Sequence, residues 1–143
     1  MGSVLVIFAS RTGETEKIAA FIAEGIRMAG AQATVKNVNE VTSASDLAGY
    51  DGYVFGSATY HGDMMKGMKT LLFLAEKANL TEKTGASFGA FGWSGEAPDR
   101  IFATMENVFQ MRMVSGPLRL KSSALGGGVQ MAQDYGRQIA SHL

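Results

Sequence analysis

The chain has 143 residues, 46% of them apolar, with 13 basic residues against 13 acidic ones and no cysteine. That length suits one domain with a real core, and the apolar share excludes disorder. A formal net charge of zero argues against a nucleic-acid footprint, and the missing cysteines exclude a disulfide framework, thiol chemistry and a thiolate metal site.

Strand and helix patterns alternate along the chain. Ser3-Val4-Leu5-Val6-Ile7-Phe8-Ala9 is a hydrophobic run of strand length. It leads straight into Ser10-Arg11-Thr12-Gly13-Glu14-Thr15, which opens an amphipathic helix. There Ile18, Phe21, Ile22, Gly25 and Ile26 fall at helical spacing and predict one buried stripe, which Gly30 closes. A second strand is predicted around 33–38, then a short helical turn over 45–50 with Ser45 as its cap. Gly52 to Ser57 reads as the third strand. Met64, Met68, Leu71, Leu72 and Ala75 stripe the next helix, and 86–92 reads as the fourth strand. A helix from Ala97 to about residue 110 is predicted to bury Ile101, Phe102, Met105, Val108 and Phe109, with Pro98 in its first turn, where a missing N–H costs little. The fifth strand is placed at 113–120. Pro117 within it cannot donate to a ladder, which puts this strand at a sheet edge. Gly126-Gly127-Gly128 reads as a flexible loop before a last helix that uses Val129, Ala132, Tyr135, Ile139 and Leu143.

Five strands alternating with helices predict an α/β fold, a doubly wound five-stranded parallel sheet covered on both faces. Right-handed crossovers favour the order 2-1-3-4-5, with residues 1–143 forming one domain. In that order the helices after the first and third strands leave toward opposite faces. A crevice opens between the carboxyl ends of these strands, and ligands bind there. Three loops line it: 10–15, 57–63 and 91–97. The N-terminus has no basic segment or cleavage site, and no stretch reaches the roughly 18 apolar residues of a membrane span. The expectation is a soluble cytoplasmic protein with no membrane association.

The first loop sets three hydroxyls and a glycine at a strand-to-helix corner. A helix start offers free N–H groups and the positive end of its dipole, which suits a phosphate ester. Ser10, Thr12 and Thr15 can add side-chain donors, and Gly13 allows close backbone approach. The same residues also suit an ordinary capped turn. Arg11 is either a countercharge or an outward-pointing cation. The second loop, Ser57-Ala58-Thr59-Tyr60-His61-Gly62-Asp63, and the third, Phe91-Gly92-Trp93-Ser94-Gly95-Glu96-Ala97, each place an aromatic in a glycine-containing turn. Trp93, the only tryptophan, is either a stacking wall for a flat ring or the cover of a core edge. Two distant histidines and no carboxylate–histidine cluster argue against a metal site. Phe8-Ala9-Ser10 lacks the acidic residues of a receiver domain, and no Gly-x-x-x-x-Gly-Lys-Ser/Thr motif occurs.

Taken jointly, these loops resemble those of the flavodoxin family, a reference case for this sheet order. Ser-x-Thr-Gly-x-Thr at 10–15 is similar to the family's phosphate loop, usually Thr-Gly-Asn-Thr, with Glu14 in the place of Asn. Gly56-Ser57-Ala58-Thr59-Tyr60 is similar to its second loop. Phe91-Gly92-Trp93-Ser94-Gly95-Glu96 especially resembles the flavodoxin-like FMN module of flavodiiron proteins. The resemblance implies non-covalently bound FMN. It would place Ser10, Arg11, Thr12, Gly13, Glu14 and Thr15 about the phosphate, Glu14 through its amide alone. Ala58, Thr59, Tyr60, His61 and Gly62 would line one side of the isoalloxazine, with the His61–Gly62 peptide turned toward flavin N5. Phe91, Gly92, Trp93, Ser94, Gly95 and Glu96 would line the other side and the pyrimidine edge. His61 then either tunes the flavin or faces solvent. Met64, Met65 and Met68 either floor the ring edge or, for Met68 above all, join the core stripe. Asp63 and Glu96 are the acidic candidates near the ring.

The function implied is an electron carrier between redox partner proteins, with no catalytic residue. The neutral charge balance would make long-range steering toward those partners weak. The competing reading is an FMN-dependent NAD(P)H:quinone-type reductase. Such relatives are usually longer, with an added loop that builds a dimeric substrate pocket, and this sequence has no such insertion.

Overall fold

A strand that is apolar at every position must be covered on both faces. In the computed structural model, which describes residues 2–90, 95–121 and 127–143, the first strand, β1 (Ser3–Ala9), lies inside the sheet. Its side chains alternate between two cores, as the period of a strand requires. Val4, Val6 and Phe8 enter one core, built with α1 (Glu14–Met28) and α4 (Gly128–Ala140). Leu5, Ile7 and Ala9 enter the other, built with α2 (Lys66–Lys77) and α3 (Glu96–Ala103).

β2 (Gln32–Asn37) and β3 (Gly52–Ser57) flank β1, both parallel to it. Between β3 and α2 the chain forms a small hairpin of β4 (Thr59–Tyr60) and β5 (Asp63–Met64), separate from the main sheet. This hairpin has no counterpart in the sequence periodicity, and it takes Met64 out of the helix stripe. β6 (Thr84–Ala90) pairs with β3. Two short segments, β7 (Arg112–Met113) and β8 (Leu118–Leu120), both pair in parallel with β6. The predicted order 2-1-3-4-5 therefore holds, with the fifth strand in two pieces. The ladder lapses where Ser115 turns to φ 55 and Pro117 has no N–H to donate.

Three further expectations need correction. The helical turn after β2 spans Ala44–Leu47 and is capped by Ser43, not Ser45. Asp46 closes that cap by accepting from the amides of Thr42 (3.0 Å) and Ser43 (3.2 Å), which hold its carboxyl below the usual range. Beyond α3 the chain widens into a π turn over Thr104–Val108, where Phe109 N–H donates to Thr104 O at 3.1 Å. The extra residue in that turn advances the buried face from 108 to 109. Val108 is 55% exposed, while Ile101, Met105 and Phe109 stay in the core and Phe102 is half-buried. In α4, Ala132, Tyr135 and Ile139 are buried, but Val129 is partly exposed and Leu143 lies beyond the helix end. Gly126 of the glycine run falls outside the described residues, and Gly127 caps α4 in the left-handed region.

α1 and α4 pack backbone to backbone. Tyr135 of α4 reaches under the sheet, its hydroxyl shared between the carbonyls of Ser87 (3.0 Å) and Gly116 (2.9 Å), and burial pushes its phenol pKa up. A Cβ on Gly136 would lie 2.1 Å from Ile22 O, so the helices would have to separate. Gly136→Ala should therefore lower the unfolding free energy by about 1–3 kcal/mol in urea denaturation. Alanine is the better helix former by roughly 1 kcal/mol, so an unchanged or raised midpoint would contradict the close packing.

Candidate functional site

β1 and β3 lie side by side, Ala9 beside Ser57, and the helices that follow them pass to opposite faces. The loops after these strands therefore meet at one crevice on the carboxyl edge.

In the first loop, Ser10 Oγ accepts a hydrogen bond from Gly13 N–H at 2.8 Å. This folds the loop back on itself and sets Gly13 at the cap position of α1. Gly13 has φ 89, which a glycine adopts without steric penalty. Among the described residues no side-chain cap bond forms at Gly13. A Cβ at Gly13 would meet nothing within 4 Å, so the space beside the loop is open. Thr15, in the first turn, is 1% exposed, and its Oγ1 has no hydrogen-bond partner among the described residues. A buried polar group left in that state costs about 1–3 kcal/mol, so buried hydroxyls are nearly always paired. Arg11 and Thr12 are exposed. Glu14 is half-buried and its carboxylate lies 4.0 Å from Lys17 Nζ.

The second loop is pinned at both ends. Ser57 Oγ donates to Ala58 O (2.8 Å) and accepts from Met65 N–H (3.0 Å). Ala58 N–H donates to Ala9 O at 3.2 Å, which ties the loop to β1. Thr59 Oγ1 accepts from Ala97 N–H at 3.1 Å, which ties it to the first turn of α3. Between β4 and β5 stand His61 (φ 51) and Gly62 (φ 72). Positive φ at both central residues marks a type I′ turn. For His61 that conformation costs about 1–2 kcal/mol. Asp63, opposite Tyr60 in the hairpin, accepts from Met64 N–H (2.7 Å) and pairs with Lys69 Nζ (2.6 Å) and, more loosely, Arg100 Nε (3.8 Å). Lys69 first, and then the Met64 amide, hold its carboxyl below the usual range.

One contact joins the two loops. Arg11 Cζ sits 4.4 Å from the centroid of the half-exposed Tyr60 ring, and exposed His61 meets that ring edge-on at 4.2 Å. Such a cation–π contact contributes about 0.5–1 kcal/mol at an exposed site. Ala58, Thr59 and Gly62 of the same loop are half-buried. In the third loop Gly95 caps α3 and Glu96 is its first residue, half-buried. Phe91, Gly92, Trp93 and Ser94 lie outside the described residues. Met68 is fully buried in the core, Met64 is buried beneath the hairpin and Met65 is half-buried. Sequence reasoning missed Ser57 as the pin of the second loop. A serine that ends a fully buried strand was the available signal. It also missed that Asp63 is charge-compensated, which depends on Lys69 and Arg100 from two other elements.

Among the described residues no group of three or more His, Cys, Asp or Glu is placed to hold a metal ion, and no helix is long and apolar enough to cross a membrane.

The Asp63 pairing has a pH signature. Its folded pKa is depressed, so the stability it contributes is present above the unfolded pKa and is lost as pH falls through the folded one. Lys69→Met should raise the Asp63 carboxyl titration, followed by NMR, toward the ordinary value near about 4. An unmoved midpoint would show that Lys69 does not hold this charge.

The arrangement has known counterparts. The sequence pattern of the flavodoxin family matches residues 6–138. Type A flavoprotein fprA of Rhodobacter capsulatus is 29% identical over 99% of this chain, and the match takes up 33% of that protein. The chain spans a quarter to a third of the length of curated relatives of that kind. Among solved structures, a flavodoxin from the domain Archaea superposes with a TM-score of 0.92 at 27% identity, covering 98% of this chain and 97% of that one. The Flv1 flavodiiron core of Synechocystis sp. PCC6803 superposes at 0.88 with 28% identity, covering 98% of this chain and 35% of that one. An open, uncapped helix start with a buried unpaired hydroxyl fits the phosphate of FMN. The chain belongs to the flavodoxin family of flavin-binding electron-transfer proteins, with FMN as its cofactor.

Proposed function

We propose that residues 1–143 form one cytoplasmic FMN domain that carries electrons between redox partner proteins. The observation that supports this most is the start of α1. A glycine cap, an open space beside it and the unpaired Thr15 hydroxyl together make a socket for a phosphate monoester. Ser10 shapes the socket through its bond to Gly13, Thr12 stands at its rim, and Glu14 contributes its amide. Exposed Arg11 adds a cation nearby, already aimed across the crevice by Tyr60. Bound FMN would supply one- and two-electron redox chemistry.

The chain's own part is to bind, orient and shield. Tyr60, His61 and Gly62, carried on a hairpin pinned by Ser57 and Thr59, would line one side of the ring with Ala58 and Thr59 at its base. Phe91 to Glu96, with Trp93 as the wall, would line the other side. Nothing in this arrangement requires a general acid or base. Asp63 carries a charge met by Lys69 and Arg100, so it adds little negative field beside a reduced ring. A formal charge of zero gives no long-range pull toward a charged partner.

Two measurements test this reading. Thr15→Val removes a hydroxyl that has no partner, so the unfolding free energy of the ligand-free protein should stay level or rise. FMN affinity, read from flavin fluorescence, should fall about tenfold or more, while riboflavin affinity stays unchanged. Equal loss for both ligands would refute the phosphate assignment. In a second assay the FMN-loaded protein should oxidise reduced nicotinamide with a quinone only slowly without a partner protein. Fast steady turnover would instead favour the quinone-reductase reading.

A further inference from the structure

Away from the crevice, Phe73 is the most exposed large apolar side chain among the described residues, at 73%. It stands on the edge of a groove of about 300 Å³ between α2 and the π turn that follows α3, where Leu72, Val108 and Phe109 provide apolar walls. A cavity of about 150 Å³ already admits a benzene ring. Single exposed apolar residues are ordinary on protein surfaces. What sets this one apart is an aromatic knob beside an apolar hole of sufficient size, bracketed by opposite charges.

Lys69, Leu72, Phe73 and Glu76 share one face of α2, at the spacing i, i+3, i+4 and i+7, and all four line the groove. At the N-terminal end, Lys69 and Arg100 surround Asp63, two cations to one anion. At the other end stands Glu76, which has no ion-pair partner among the described residues. The stripe is therefore positive at one end, apolar in the middle and negative at the other.

We propose that this face binds a second copy of the chain across a two-fold axis, with the two α2 helices antiparallel. A two-fold contact brings the same patch from both subunits together, so the patch must complement itself. This one does. An axis passing between Leu72 and Phe73 sets Lys69 of each copy against Glu76 of the other, and each Phe73 enters the opposing groove. The charge pattern singles out a second copy, since a different partner would need no such internal symmetry. Zero net charge also leaves no global repulsion between copies. The buried aromatic carries most of the contact, and the flanking ion pairs fix its register.

Sedimentation equilibrium of the FMN-loaded protein up to roughly 1 mM tests this. A reversible monomer–dimer equilibrium is expected. Phe73→Asp, at a site too exposed to disturb the fold, should weaken association about tenfold or more. Glu76→Lys should weaken it by placing like charges together, and raised salt, which screens that repulsion, should rescue the variant in part. A wild-type protein that stays monomeric throughout, a Phe73→Asp dimer as tight as the parent, open-ended association, or a charge reversal without rescue would each overturn the proposal. Circular dichroism of each variant separates lost association from lost folding.

Discussion

The backbone amides at the start of α1 need acceptors, and the chain puts a glycine where a capping side chain would stand. The rest of the site follows from that. The helix follows, after one short loop, a central strand buried from Val4 to Ala9, so its position is fixed by two cores at once. Its dipole points at an opening that Ser10 and Gly13 shape without filling. Thr15, buried one residue into the helix, carries an unpaired hydroxyl to the same place. A fold that leaves polar groups unanswered at a well-determined position is arranged for something that arrives from outside the chain. On the function proposed above, the family's phosphorylated flavin is that group.

The second loop shows how a rigid platform can support an aromatic rim. β3 is buried from end to end, and its last residue, Ser57, bonds both to the start of the loop and to its return. Thr59 carries the restraint across to α3. Between these anchors a tight hairpin holds His61 in a conformation that few non-glycine residues adopt. Tyr60 is thus presented outward on a support that cannot easily slide, and Arg11 closes over it from the neighbouring loop. The two loops that would hold opposite ends of one ligand are already in contact.

Much of this was legible in the sequence because it rests on short-range rules. An unbroken apolar strand told of cover on both faces, the alternation of periods told of a parallel sheet, and Pro117 told of an edge. The first two loops could be placed at one crevice from sheet order alone. What could not be read depends on geometry beyond a single element. Val108 sits at good helical spacing, but the π turn shifts the register by one residue and turns it outward. The hairpin at 59–64 is too short to show alternation. Arg11 and Tyr60 are far apart in the chain and meet only once β1 and β3 pair. The solitude of the Thr15 hydroxyl is a property of its surroundings, and no motif displays it.

On the proposed function, the α1 entrance, rather than the aromatic rim, grips the ligand by its phosphate. Amide NMR of the ligand-free protein titrated with FMN addresses this most directly. The Glu14 and Thr15 amide protons should shift strongly downfield as charged hydrogen bonds form, while the Thr15 hydroxyl proton becomes protected from exchange. FMN that binds while those signals stay in place would contradict it.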